Sequence, residues 1–166
     1  MSVNIALLTV TDTRTLETDN SGNILVEKIK KANHILFERK ICRDNKEDIK
    51  SILKEWTKKK NLDVIITTGG TGLTGRDITP EALNDIADKH IPGFGEIFRF
   101  LSLETVGTSS IQSRACAVLS NGKYIFALPG SSGGVTDAWD KILVHQLDVN
   151  HKPCNFVELF PRLKEK

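Results

Sequence analysis

Two apolar runs, Ile5–Val10 and Leu62–Thr67, each stop abruptly at threonine- or glycine-rich sequence, and a helical pattern follows each. A short continuous apolar run bounded in this way reads as a strand buried on both faces, which is the habit of parallel sheets. Parallel neighbours need a crossover between them, and the intervening sequence supplies it. "NILVEKIKKA" places Ile24, Leu25, Ile29 and Ala32 at helical spacing after a polar loop predicted over Thr11–Gly22. His34–Cys42 reads as a more exposed strand. Asp44 or Asn45 can cap a helix running through Lys60, with Ile49, Ile52, Leu53 and Trp56 on one face.

The second half continues the alternation. Thr79-Pro80-Glu81 reads as a helix start, with Thr79 as cap and proline at the first helical position. "IPGFGEIFRFLSLE" predicts another helix after the break at Pro92-Gly93. "RACAVLS" and "KYIFALPG" read as two strands joined at Asn121-Gly122, a strong hairpin signal. "GVTDAWDKILVHQL" predicts a long final amphipathic helix. The tail after Asn150 reads as irregular, with Phe156, Val157, Leu159 and Phe160 available to pack on a neighbour. Strands alternating with helices argue for an α/β sandwich, mainly parallel, with one antiparallel hairpin. The 166 residues read as one domain, without repeats or an internal linker.

Charge and composition exclude several classes. A net charge of +2 gives no electrostatic case for nucleic acid, and Lys58-Lys59-Lys60 reads as a helix end. Three scattered cysteines and four histidines without ligand spacing argue against a disulfide framework or a zinc site. The N-terminal apolar run lacks the flanks of a signal peptide and no stretch is long enough to span a bilayer, so the cytoplasm and no membrane partner are expected. No G-x-S-x-G turn or Ser-His-Asp order is present, which argues against a covalent hydrolase.

Ligands of open parallel sheets bind beyond the carboxyl ends of the strands. Three such junctions stand out here: "LTVTDTR" with Thr11, Asp12 and Arg14; "TTGGTGLTGRDITPEAL"; and "ALPGSSGG" with Pro129, Gly130 and Ser131. Glycine loops opening into helices can cradle an anion with backbone N–H groups, or can be tight turns that need positive φ. Thr67, Thr68 and Thr71 could add hydroxyl donors, or be strand residues. The second loop lacks the lysine of a P-loop and carries Arg76-Asp77 instead. Asp77 either holds Mg²⁺ against substrate phosphates, with Asp44 as a second carboxylate, or pairs with Arg76 or caps the next helix. Arg114 and Arg99 are candidate phosphate- or ring-binding guanidiniums, or paired surface groups. The apolar stretch "GEIFRFLSLETV" fits a core face, with an interface as the alternative.

The motifs "LLTVTDTR", "TTGGTGLTGRDITPEAL", "IPGFGEIFR", "SRA" and "ALPGSSG" together resemble the MoaB/Mog family of molybdenum cofactor biosynthesis, across nearly the whole chain. The middle segment and "PCNF" resemble the MoaB branch. The resemblance implies a three-layer α/β/α fold, assembly as trimers or hexamers, and molybdopterin as ligand. In active members it implies adenylylation of molybdopterin with Mg²⁺ and ATP, giving pyrophosphate. Asp44 and Asp77 match the family's functional carboxylates. Gly69, Gly70, Thr71 and Gly72 match its backbone cradle; Thr11 and Asp12 match its N-terminal site; Ser113 and Pro129-Gly130-Ser131 match the remaining pocket motifs. Thr11 stands where many relatives have serine, and Ala127 where some plant-type adenylyltransferases have asparagine. The resemblance therefore implies either an adenylyltransferase or a molybdopterin-binding partner without turnover.

Overall fold

The computed structural model describes residues 1–165. Its elements run β1 (Asn4–Val10), α1 (Asn20–Lys31), β2 (Ile35–Cys42), α2 (Lys46–Thr57), β3 (Val64–Thr68), α3 (Thr79–Asn84), β4 (Lys89–His90), α4 (Pro92–Val106), β5 (Cys116–Ser120), β6 (Lys123–Leu128) and α5 (Ser132–Ala138). The six strands form one sheet in the order β2-β1-β3-β6-β5-β4. β2, β1, β3 and β6 are mutually parallel, and β5 runs antiparallel to both β6 and β4. The α/β/α sandwich expected from the alternating pattern is thus the architecture found.

Side chains alternate across each central strand, so the sheet divides two apolar layers. Ile5, Leu7, Ile66 and Phe126 pack against Leu25 and Ile29 of α1, Phe94 and Phe98 of α4, and Val135 and Ala138 of α5. Ala6, Leu8, Ile65 and Ile125 face Ile49, Leu53 and Trp56 of α2, with Ala82 and Leu83 of α3. At the Asn121-Gly122 hairpin both residues have positive φ, +48° and +72°. This is the left-handed pair that the right-handed strand twist demands of a two-residue turn.

Several boundaries differ from those expected. α1 begins three residues before Asn23, because Asp19 caps it by accepting from the Gly22 N–H at 2.9 Å. Asn45, rather than Asp44, caps α2 by accepting from Glu47 and Asp48 N–H groups. That helix ends at Thr57, leaving Lys58–Lys60 beyond it. Thr79 is not a cap: its hydroxyl donates back to the Gly69 carbonyl at 2.9 Å. The final helix is not uniform, since a π-type stretch, Trp139–Leu143, separates α5 from a last turn, α6 (Val144–Gln146). The tail folds a 3₁₀ segment, Val157–Arg162, onto its own sheet, with the Phe156 ring 4.6 Å from Tyr124 and 5.7 Å from Phe126 between centroids. The α4 stretch is not simply core: Phe98 is buried, but Ile97, Phe100, Leu103 and Val106 are exposed.

Candidate functional site

The chain leaves β1 toward β2 on one side and returns to β3 on the other, so the carboxyl ends of β1 and β3 flank a topological switch point. The glycine loop leaves β3 here. Gly69 donates its N–H to the Leu128 carbonyl at 3.0 Å and has φ +102°. A Cβ on it would strike the carbonyl oxygen of Val10, and one on Gly130 would lie 3.3 Å from the Gly69 Cα. Three strand ends therefore meet with no room for side chains, and backbone lines the crevice. Gly70, at φ +66°, is hemmed by the Thr79 hydroxyl, with Asp44 Oδ1 3.1 Å from where its Cβ would sit. The glycines are thus both tight turns and a close approach of backbone to the site.

Three carboxylates border this loop. The Asp44 N–H donates to Asp12 Oδ1 at 3.2 Å, which joins the β2–α2 turn to the loop after β1. Partial burial, then the like charges of Asp12 and Asp77, raise the Asp44 pKa; Arg76 and the bond to Asp12 oppose them without prevailing. Arg76 Nη1 lies 3.8 Å from Asp12 Oδ2 and is itself exposed. At Asp77 burial opposes ionisation, but hydrogen bonds from Thr74 and Gly72 outweigh it and the pKa is lowered. Asp77 Oδ2 accepts from the Thr74 N–H at 2.8 Å and the Thr74 hydroxyl at 2.6 Å. Asp77 therefore neither caps α3 nor pairs with Arg76: it closes its own loop as a carboxylate. No three His, Cys, Asp or Glu side chains converge on a ready-made metal cage among the described residues. A cation here would need oxygens from a substrate to complete its shell, as Mg²⁺ commonly does.

Two cavities share the 129–131 loop as a wall. The smaller, about 190 Å³, is lined by Thr11, Arg14, Asp19, Ser21, Gly69, Gly70 and Gly130. The larger, about 560 Å³, lies against α4 and is lined by Phe98, Ser110, Ser113, Pro129, Ser131 and Gly134 among others. Its size suits a small-molecule ligand. Thr11, Gly69, Gly70 and Pro129–Ser131 are thus brought together with Asp12, Asp44 and Asp77, and Ser113 stands on the far wall of the larger cavity. Thr71 is buried, with its carbonyl accepting from the Arg114 N–H at 2.9 Å. Thr67 and Thr68 spend their hydroxyls on the carbonyls of Phe126 and Pro129, so they brace strands. Arg99 donates to the carbonyls of Ser113 and Ala115, and the Arg114 guanidinium is turned onto Gly72, Asp77 and Glu81.

Asp19 was not apparent from the sequence as a site residue. It is fully buried, accepts from the Thr9 hydroxyl at 2.6 Å and pairs with Arg39 at 3.0 Å. The Ser21 hydroxyl donates to the Gly130 carbonyl at 2.8 Å, tying the start of α1 to the shared wall. The signal was the acid two residues before Ser21-Gly22, a cap pattern set inside what read as a polar loop.

Strand order and a backbone-lined crevice define a doubly wound α/β protein with an open crevice at the switch point. A family model described as "Probable molybdopterin binding domain" matches residues 6–149. Molybdenum cofactor biosynthesis protein B of Escherichia coli K12 is 42% identical over 161 residues, spanning 97% of this chain and 93% of that protein. The protein of the same name from Bacillus cereus is 43% identical over 146 residues, 87% and 86% of the two chains. A crystal structure of a molybdenum cofactor biosynthesis protein B matches with a TM-score of 0.90 at 38% identity, covering 100% of this chain and 98% of that one. The tungsten cofactor synthesizing protein MoaB from Pyrococcus furiosus matches with a TM-score of 0.76 at 34% identity, over 86% and 91%. The chain belongs to the MoaB/Mog family of molybdenum cofactor biosynthesis proteins.

Proposed function

We propose that this chain binds molybdopterin and adenylylates it with Mg²⁺-ATP, releasing pyrophosphate. The observation that carries the reading is the crowding of Asp12, Asp44 and Asp77 around a glycine cradle, where Arg76 faces Asp12 and the Arg114 guanidinium is spent on the loop carbonyls and Glu81. Backbone N–H groups suit phosphate oxygens, yet carboxylates repel them, and a divalent cation held between reconciles the two. Asp44 and Asp77 would hold Mg²⁺, which when bound neutralises phosphate charge. A phosphate oxygen of molybdopterin forms the new bond to the α-phosphorus of ATP as the bond to the pyrophosphate oxygen breaks. The protein supplies no nucleophile; it aligns the two substrates and meets their charge. The larger cavity would take the pterin, with Ser113 and Ser131 as polar anchors, and the smaller would take phosphate. With Cys42, Cys116 and Cys154 all free thiols, we take the reducing cytoplasm as its compartment.

Incubation with molybdopterin and Mg²⁺-ATP, followed by analysis for adenylylated molybdopterin and pyrophosphate, tests the reading. Asp77→Asn should lower turnover on the order of a hundredfold while molybdopterin still binds. Normal turnover in that variant sinks the assignment.

One observation favours a second reading, a molybdopterin-binding partner without turnover. Ala127 is fully buried in the α2–α3 layer and offers the crevice no polar group. Pterin binding without product in the same assay selects this reading.

A further inference from the structure

Residues 73–76 project from the body of the protein. Leu73, Thr74, Gly75 and Arg76 are exposed, and a Cβ on Gly75 would meet nothing within 4 Å. The loop's own bonds, Asp77 N–H to the Thr74 carbonyl and Thr74 to the Asp77 carboxylate, shape it without attaching it. Beyond the long 3.8 Å contact of the exposed Arg76 with Asp12, attachment comes from one residue, Arg114. Arg114 Nε donates to the Gly72 carbonyl at 2.7 Å and Nη2 to the Asp77 carbonyl at 2.5 Å, so one rigid fork grips both ends of the loop. The other face of the fork pairs with the Glu81 carboxylate of α3. The Arg114 backbone N–H adds a bond to the Thr71 carbonyl at 2.9 Å.

The geometry points to Arg114 as a positioning residue that holds the Asp77 loop in register with the glycine cradle, rather than as a group that binds substrate. The inference rests on the adenylylation reading for its catalytic consequence, but not for its structural one. Lysine keeps the charge and loses the fork, so Arg114→Lys should fail much as Arg114→Ala does. Glu81→Gln, which leaves the guanidinium its two carbonyls, should do less harm.

Hydrogen–deuterium exchange of the segment spanning residues 72–77 tests the structural claim without any ligand. In Arg114→Ala and Arg114→Lys the Asp77 amide should exchange at least about tenfold faster, while strands β1 and β3 stay protected. In the assay, the Mg²⁺ concentration for half-maximal rate should rise on the order of tenfold or more, with molybdopterin affinity unchanged. The loss should nearly vanish when Arg114→Ala is added to Asp77→Asn, because the two act as one unit. Unchanged loop exchange in both arginine variants overturns the proposal, as does loss of molybdopterin affinity with the loop still protected. If Arg114→Ala does not fold, the lysine variant and Glu81→Gln decide by the same exchange measurement. Wild-type protein that makes no product defeats the adenylylation reading, and the exchange result still judges the clamp.

Discussion

Asp44 sits where folding alone would not choose a carboxylate. Partial burial and the neighbouring charges of Asp12 and Asp77 raise its pKa, so Asp44 gives up its proton less readily in the folded chain than in the unfolded one. With the folded value above the unfolded one, ionised Asp44 opposes folding at neutral pH, and stability recovers as pH falls through the raised value. Asp44→Asn should therefore raise the melting temperature at neutral pH, by roughly 1–3 °C, and the gain should fade on acidification. Loss of function alongside that gain, measured as melting against pH and as turnover, is the expected pairing for a residue kept for its site. At this scale the sequence was only partly legible. The glycines and the two acids could be named, because loop chemistry is local. That Arg114 faces the loop rather than a ligand depends on where residues 42 positions apart in sequence meet, and that Asp77 closes on Thr74, three residues away, depends on how the loop itself folds.

At the scale of elements, periodicity foretold nearly every strand and helix, and the errors lie where a long-range partner sets a boundary. α1 starts at Asn20 because Asp19 is held by Thr9 of β1 and Arg39 of β2, neither adjacent in sequence. Asp19→Ala would remove the cap and leave the guanidinium without its buried partner, a cost of about 3 kcal/mol. Urea unfolding should show that loss without a change in slope. The two-residue strand β4 escaped notice because it is too short to carry a period; it pairs with β5 only where Lys89 and His90 meet Leu119 and Val118. The π-type stretch after Ala138 likewise has no local signal. Trp139, Ile142 and Leu143 all point into the α1–α4 layer, and the extra residue in the turn keeps all three there.

Across the whole molecule, the outer face of α4 carries Ile97 at 50% exposure, Phe100 at 67%, Leu103 at 45% and Val106 at 54%. Such an apolar row beside the larger cavity is the mark of a covered surface, and we take another copy of the chain as its cover, in a trimer or hexamer. Phe100→Glu should shift the protein to monomer in size-exclusion chromatography with light scattering; a wild-type monomer would remove the proposal. Sequence patterning by itself determined the layered α/β class, the central strands and the loops that could touch phosphate, because burial and turn chemistry are written into local spacing. Tertiary structure decided which of those loops share a crevice, which polar groups were consumed in holding them, and which apolar face stayed uncovered. Those outcomes depend on strand order, and strand order brings together segments whose local sequences carry no record of one another.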